Sequence, residues 1–422
     1  MEIKQMSIDL ETYSDADLEK CGVYKYTESS QFEILLFGVS INGGEPKVYD
    51  LVSGDTVPEE IVQAIADKNI VKWAYNAAFE RICLSAWMRL KYPQYFSSYG
   101  SSDDSNGNYL DPTSWRCSRI WGAYMGLPLS LEQIGKVLNL DAQKMAEGKA
   151  LIRYFCVPCK ATKTNGGRTR NLPEHDREKW RLFVEYNKRD VETQMAIQKK
   201  LLNFPVPDFL WEEYQLDQRI NDRGIQLDMK FVEQAIQFDE CSNREIYSKL
   251  KQLTALENPN SVQQMKGWLE QNGLKIESLD KKRVNSLLKK VPLKIAEVLE
   301  LRQQLAKSSV RKYQAMQNVV CADGRARGMF QFYGANRSGR WAGRLIQMQN
   351  LPQNHMEYLE DARYLVRAGE YDLLSVLHDS TPEVLSELIR TAFIPKEGYE
   401  FIISDFSAIE ARVLSFLANE TW

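Results

Sequence analysis

Alternating apolar and polar positions dominate the first two hundred residues. Met6-Ser7-Ile8-Asp9-Leu10, Ile34–Ile41 and Lys47–Leu51 read as strands, with Asn42-Gly43-Gly44 as the hairpin turn between the last two. Helical spacing follows over Glu59–Asp67 and Phe79–Leu90, separated by the short strand Val71-Lys72-Trp73-Ala74-Tyr75. The Ser/Asp/Asn/Gly tract Tyr99–Asn108 predicts an exposed loop. A long helix ends at Leu202, because Pro205 and Pro207 cannot continue one. Beyond that break, Trp211–Val320 keeps helical periodicity in a Lys-, Gln-, Glu- and Leu-rich composition punctuated by Pro259 and Pro292. Gly324–Pro352 turns to Gly, Arg, Gln and Asn, and helices resume at Met356–Ala368, Tyr371–Leu377 and Pro382–Ala392. From Gly398 to Leu414 the pattern is a short apolar strand ending at Asp405, a turn and an amphipathic helix. Ile409, Val413, Phe416 and Leu417 share one face of that helix, predicted to be buried, and Ser407 with Glu410 fits a capping box.

Composition narrows the picture. A chain of 422 residues exceeds one core, so two or three domains are expected. No run of 18 apolar residues exists for a membrane span, and Met1-Glu2-Ile3-Lys4 carries no export signal, which predicts a cytoplasmic protein. Seven scattered cysteines fit reduced thiols; Cys156-Val157-Pro158-Cys159 is a lone pair with no His at finger spacing, a weak zinc signal. The net charge is only −3, so a nucleic-acid partner would have to meet local basic patches. One candidate is the loop Lys160–Arg170, with Lys160, Lys163, Arg168 and Arg170, able to grip the phosphates of a single strand or simply to be solvated.

The carboxylates carry more chemistry. Asp9 and Glu11 are two apart on a strand and so share one face, where two anions repel unless a cation lies between them. Asn76-Ala77-Ala78-Phe79-Glu80 puts an acid at a helix start directly after a strand, and Tyr186-Asn187-Lys188-Arg189-Asp190 puts a Tyr and an Asp one helical turn apart. DxE, N-x-x-[FY]-[DE] and Y-x-x-x-D in this order resemble the DEDD 3′→5′ exonuclease superfamily, in its Tyr-containing branch. The resemblance covers residues 1–203 and implies an α/β ribonuclease H-like domain, a mixed sheet with flanking helices. It also implies two Mg²⁺ or Mn²⁺ ions on Asp9, Glu11, Glu80 and Asp190, with Tyr186 beside the attacking water. The third acid, commonly Asp, is Glu80 here, which shifts its oxygens by one methylene.

Two later segments, Arg223-Gly224-Ile225-Gln226-Leu227-Asp228 and Asn258-Pro259-Asn260-Ser261, are helix-start signals, with Ser261 as an N-cap. Then Gly334 to Pro352 gathers Arg, Gln, Asn and Gly, poor core formers and good readers of a nucleic-acid groove. Together with Arg390-Thr391-Ala392-Phe393 and Asp405-Phe406-Ser407-Ala408-Ile409-Glu410-Ala411-Arg412, these resemble the thumb, palm and first catalytic motif of family A DNA polymerases of bacteriophage or prophage type. The resemblance implies a mainly helical thumb over 204–322 and the start of a palm over 323–422. It implies that Arg340, Gln349 and Asn350 contact the primer–template. It gives Asp405 a second metal site with two ions, and it sets Glu410 and Arg412 at the incoming nucleotide.

In that family a second palm carboxylate and a fingers helix bearing Lys and Arg complete polymerisation, and no other segment of this sequence fits either pattern. The reading is therefore a replicative DNA polymerase with proofreading exonuclease, acting on a primer–template and a single-stranded 3′ end in a bacterial host cytoplasm. It would use deoxynucleoside triphosphates only when completed, for example by a separate C-terminal polymerase chain. The alternatives are a stand-alone exonuclease and an inactive DNA-binding remnant of a prophage.

Overall fold

The computed structural model describes residues 2–96, 108–140, 147–307, 310–335 and 338–420; residues 99–107 of the polar tract and the Asn336-Arg337 pair lie outside them. The N-terminal strands form one mixed sheet of β1 (Gln5–Tyr13), β2 (Glu33–Ile41), β3 (Lys47–Asp50), β4 (Val71–Ala74) and β5 (Trp115–Cys117), ordered β3-β2-β1-β4-β5. β2 runs antiparallel to β1 and β3, whereas β4 runs parallel to β1 and β5. The β2–β3 turn works because Asn42 and Gly43 both take positive φ. Asn42 Oδ1 also accepts the backbone N–H groups of Lys4 and Gln5, which ties the turn to the start of β1. β5 was not legible in the sequence; it is three residues long and runs straight into a helix.

Among the described residues, seven helices flank the sheet: α1 (Leu18–Tyr26), α2 (Glu59–Ala66), α3 (Ala77–Lys91), α4 (Ser118–Tyr124), α5 (Leu131–Val137), α6 (Gly148–Phe155) and α7 (Arg177–Leu201). α7 packs across β1, β2 and β3. Its Trp180, Phe183 and Tyr186, spaced by three, bury themselves with Phe155, Tyr13 and Leu36. The close approach of α7 depends on Gly38 in β2, where a Cβ would sit 2.4 Å from Asn187 Oδ1.

Pro207 stands at the N-terminus of α8 (Asp208–Arg223), separating it from α7. The packing is not broken there: Trp211 and Tyr214 of α8 join the same core as Ile8, Ala74 and Trp115. A fully buried ion pair, Arg81 to Asp222 at 2.6 Å, crosses between α3 and α8, and the Tyr24 hydroxyl donates to the same carboxylate.

After α8 come β6 (Ile225–Leu227) and α9 (Met229–Thr254), whose Asp228 cap accepts from Phe231 N–H. Then follow α10 (Val262–Gln271), α11 (Lys281–Leu287), α12 (Leu293–Leu305) and α13 (Arg311–Val319); Ser261 caps α10 as its position predicts. α9 spans two cores. Its second half packs Ile246 and Leu250 against Met265, Trp268 and Val298. Its first half packs Phe231 and Val232 against Tyr313 and residues of α14 (Leu359–Ala368), α15 (Tyr371–Leu377) and α16 (Thr381–Glu387). Asp228 also receives Arg363 and Arg367, fastening α14 to the start of α9. The short strands β7 (Arg325–Ala326), β8 (Phe330–Gln331), β9 (Ala342–Gly343) and β10 (Phe393–Ile394) follow the helical block; β6 pairs with β7 and β10, and β8 with β9.

The C-terminal segment departs from its sequence pattern. Residues 401–406 form no strand, and Ile402 and Ile403 are 96% and 88% exposed. α17 (Ile409–Leu417) starts after Ala408, which takes positive φ and makes no side-chain cap, so the expected Ser407/Glu410 box is absent. No residue of α17 is buried. A strand needs a neighbour for its N–H and C=O groups and an apolar helix face needs a partner; neither lies against this segment among the described residues.

Candidate metal centre and nucleic-acid-facing segment

β1 delivers Asp9 and Glu11 to one face of the sheet, and α7 delivers Asp190 to meet them. Ligand atoms of these three carboxylates lie within 4.8 Å of one another, with Glu11 and Asp190 buried. Glu80, in the first turn of α3, is outside that tight group but electrostatically coupled to Asp9. It is buried, and its Oε2 has no hydrogen-bond partner. Desolvation first, and the charge of Asp9 second, push its carboxyl well above the usual carboxylate range.

Three converging acids, two of them buried, with Glu80 coupled to Asp9, fit a divalent cation, since hard carboxylate oxygens are its natural ligands and the cation offsets their repulsion. The orphaned Glu80 oxygen is the sharpest sign of fit. A neighbouring ion would reverse the shift that burial imposes on this carboxyl.

Tyr186 is almost fully buried. Burial, then the charges of Asp190, Glu11 and Asp9, push its phenol far above the ordinary value, and it hydrogen-bonds to Asp190. It therefore stays protonated and acts as a donor, not a base. Its ring fits only because position 148 is glycine, where a Cβ would lie 2.1 Å from Tyr186 Cε2.

Two further residues belong to the centre. Asn187 Nδ2 donates to Asp9 Oδ2 at 2.7 Å and to the Asp9 carbonyl at 3.3 Å, fixing the carboxylate's orientation. Cys156 Sγ donates to Glu11 Oε2 at 3.7 Å, and burial pushes that thiol up. Asn187 sits inside the Tyr-Asn-Lys-Arg-Asp run and could have been found by its helical neighbourhood with Asp190. Cys156 gave no signal of this role.

The basic loop is largely occupied with its own fold. Arg170 pairs with Glu33 at 2.5 Å and stacks on Tyr13, and Arg168 donates to Asn171 and the Asn165 carbonyl. Lys160 and Lys163 remain exposed.

In the C-terminal part, Arg340, Gln349 and Asn350 are all exposed. Gln349 and Asn350 sit on a 3₁₀ turn, Met348–Asn350, held from behind by Arg390, which donates to the carbonyls of Pro352 and Leu351 at 2.7 and 3.0 Å. Arg340 reaches Glu410 at 3.7 Å across two exposed side chains, so this contact is worth little by itself. Arg412 donates to the Ser407 carbonyl at 2.8 Å, closing the turn that follows Asp405. Asp405 is exposed and outside the carboxylate group of β1 and α7. No helix among the described residues is long and apolar enough to cross a membrane.

No family model matches the chain. It is 48% identical over 421 residues to a DNA polymerase of Bacillus phage SP02, an alignment that takes in 100% of this chain and 62% of that protein. The chain thus spans under two thirds of the length of this relative. Among solved structures it is similar to the POL domain of Pol1 from M. smegmatis, determined with DNA primer-template and dNTP. That likeness has a TM-score of 0.55 and 16% identity, and covers 99% of this chain and 60% of that one. At such low identity it is a likeness of fold.

Proposed function

We propose, taking as premise that the chain belongs with the phage-type family A DNA polymerases, that it serves a DNA polymerase with 3′→5′ proofreading. In this reading residues 1–203 form a ribonuclease H-like exonuclease, 204–322 a thumb and 323–422 part of a palm. The observation that carries the exonuclease is the convergence of Asp9, Glu11 and Asp190 within 4.8 Å, beside a buried, unpartnered Glu80 oxygen.

Asp9, Glu11, Glu80 and Asp190 would hold two Mg²⁺ or Mn²⁺ ions. Bound there, the ions would supply charge neutralisation for hydrolysis of a phosphodiester. Asn187 holds the Asp9 carboxylate in one orientation. Tyr186, kept protonated, donates its proton to a hydrogen bond at Asp190 and orients what lies beside that carboxylate. The buried floor of Phe183, Phe155 and Leu36 keeps bulk water from the back of the site. Arg340, Gln349 and Asn350 face primer–template, and Asp405, Glu410 and Arg412 the deoxynucleoside triphosphate.

The test is a primer–template with a matched or mismatched 3′ end in Mg²⁺ and no triphosphates. Proofreading predicts faster trimming of the mismatched end; equal, metal-independent loss from both ends would contradict it. A second reading, an exonuclease that does not polymerise, is favoured by the exposed Asp405 set against the assembled N-terminal cluster. Primer extension on adding triphosphates distinguishes the two.

A further inference from the structure

A cleft of about 280 Å³ lies between α1, the first turn of α3, α8 and β8, and is lined by none of the four acids of the centre described above. It brings together two cations from distant parts of the chain: Arg119 of α4, and Arg344 of the Gly-Arg-Trp-Ala-Gly-Arg run. Arg344 is exposed; partial desolvation first, and the charge of Arg119 second, hold its guanidinium below its ordinary value. The charge of Arg119 also acts on Glu80, so the cleft adjoins the carboxylate centre.

Three of the residues that line it carry buried donors with no partner. Arg119 Nε, Gln331 Nε2 and the Tyr214 hydroxyl are buried without a hydrogen-bond partner. Buried donors are normally satisfied, and three unmet ones around a single cleft ask for an acceptor-rich ligand. Gln331 Oε1 already accepts from Arg344 Nη2, which leaves the carboxamide only its donor end to offer. Phe79 and Phe330 add apolar faces. Asp217 also lines the cleft, but burial raises its carboxyl to about 7, so much of it is neutral near neutral pH and its repulsion of an anion is reduced.

We infer that this cleft is a second ligand site that takes the phosphoryl group of one nucleotide between Arg119 and Arg344, with Gln331 and Tyr214 as further donors. The volume favours one nucleotide unit over a longer run of strand, being at the lower edge of small-ligand cavities, about 300 Å³. The choice of a nucleotide rests on the DNA-processing reading above; the anion-binding claim does not require hydrolysis or polymerisation. The phosphoryl group could come from a free mononucleotide or from the end of a strand.

Binding of dTMP and of a fluorescent thymidine pentamer, measured by calorimetry and anisotropy in EDTA, separates these sources and keeps metal-dependent chemistry out of the result. Arg119→Ala and Arg344→Ala are each expected to weaken binding about tenfold or more, as loss of a charge-assisted hydrogen bond should. Arg119→Lys, which keeps the charge should the alanine variant fold poorly, is expected to recover part of the loss. Weakening confined to dTMP assigns the site to free nucleotide, weakening confined to the pentamer assigns it to the strand, and either supports the inference. Unchanged affinity for both probes in Arg344→Ala and Arg119→Lys together with Arg119→Ala, or no binding of either probe by the unaltered protein, overturns it.

Discussion

Asp9 owes its orientation to Asn187, a residue that the spacing of the acids does not reveal. Replacing Asn187 by Leu removes both hydrogen bonds while roughly keeping the volume. The expected cost is about 10–100-fold in metal affinity or hydrolysis, read from an Mn²⁺ titration. Glu80 sets a pH dependence. Its carboxyl is raised by burial and by Asp9, so the metal-free site holds a proton that a bound cation must expel. Apparent Mg²⁺ affinity should therefore keep rising with pH above the usual carboxylate range, and the slope should flatten in Glu80→Gln; parallel slopes in the two proteins would exclude Glu80 as a ligand. The DxE and Y-x-x-x-D spacings made Asp9, Glu11 and Asp190 legible because strand and helix periodicities are local. Asn187 and Cys156 were not legible, because what they touch is decided by how α7 and α6 lie on the sheet.

Among the elements, α6 and α7 are locked at one point, Gly148 against the Tyr186 ring. Gly148→Val is expected to cost about 1–3 kcal/mol through overpacking and to displace the ring. A chemical-denaturation midpoint checks the first effect and lost hydrolysis the second. Arg390 does similar work for the turn bearing Gln349 and Asn350. Arg390→Ala should leave hydrolysis of single strands unchanged while weakening primer–template binding severalfold, measured by anisotropy. The strands and most helices were legible from periodicity. The C-terminal strand and buried helix face that the same periodicity predicts are not formed, because an apolar pattern states what a segment would bury and not whether a partner is present. There Ile402, Phe406 and Phe416 stay exposed.

For the molecule as a whole, the two prolines after Leu202 marked a real break in the chain, yet Trp211 and Tyr214 carry the first core on into α8. That seam also holds Asp217, whose carboxyl accepts from Phe332 N–H and Gln218 Nε2 while burial outweighs those bonds and raises it from 3.8 to about 7. Between those two values the folded protein keeps a proton that the unfolded chain has released. Stability therefore falls as pH rises through that window, by up to roughly 4 kcal/mol. Asp217→Asn should remove this contribution, gaining thermal stability relative to the unaltered protein at pH 8 but not at pH 4; an equal difference at both would exclude it. The proposed function requires the acids of β1, α3 and α7 to act as a metal-dependent 3′→5′ exonuclease. Digestion of a 5′-labelled single strand in Mg²⁺ tests it most directly. The expected result is a ladder shortening by single nucleotides from the 3′ end, stopped by EDTA and absent in Asp9→Ala and Asp190→Ala. A strand left intact by the unaltered protein, or cut equally by the alanine variants, would contradict it.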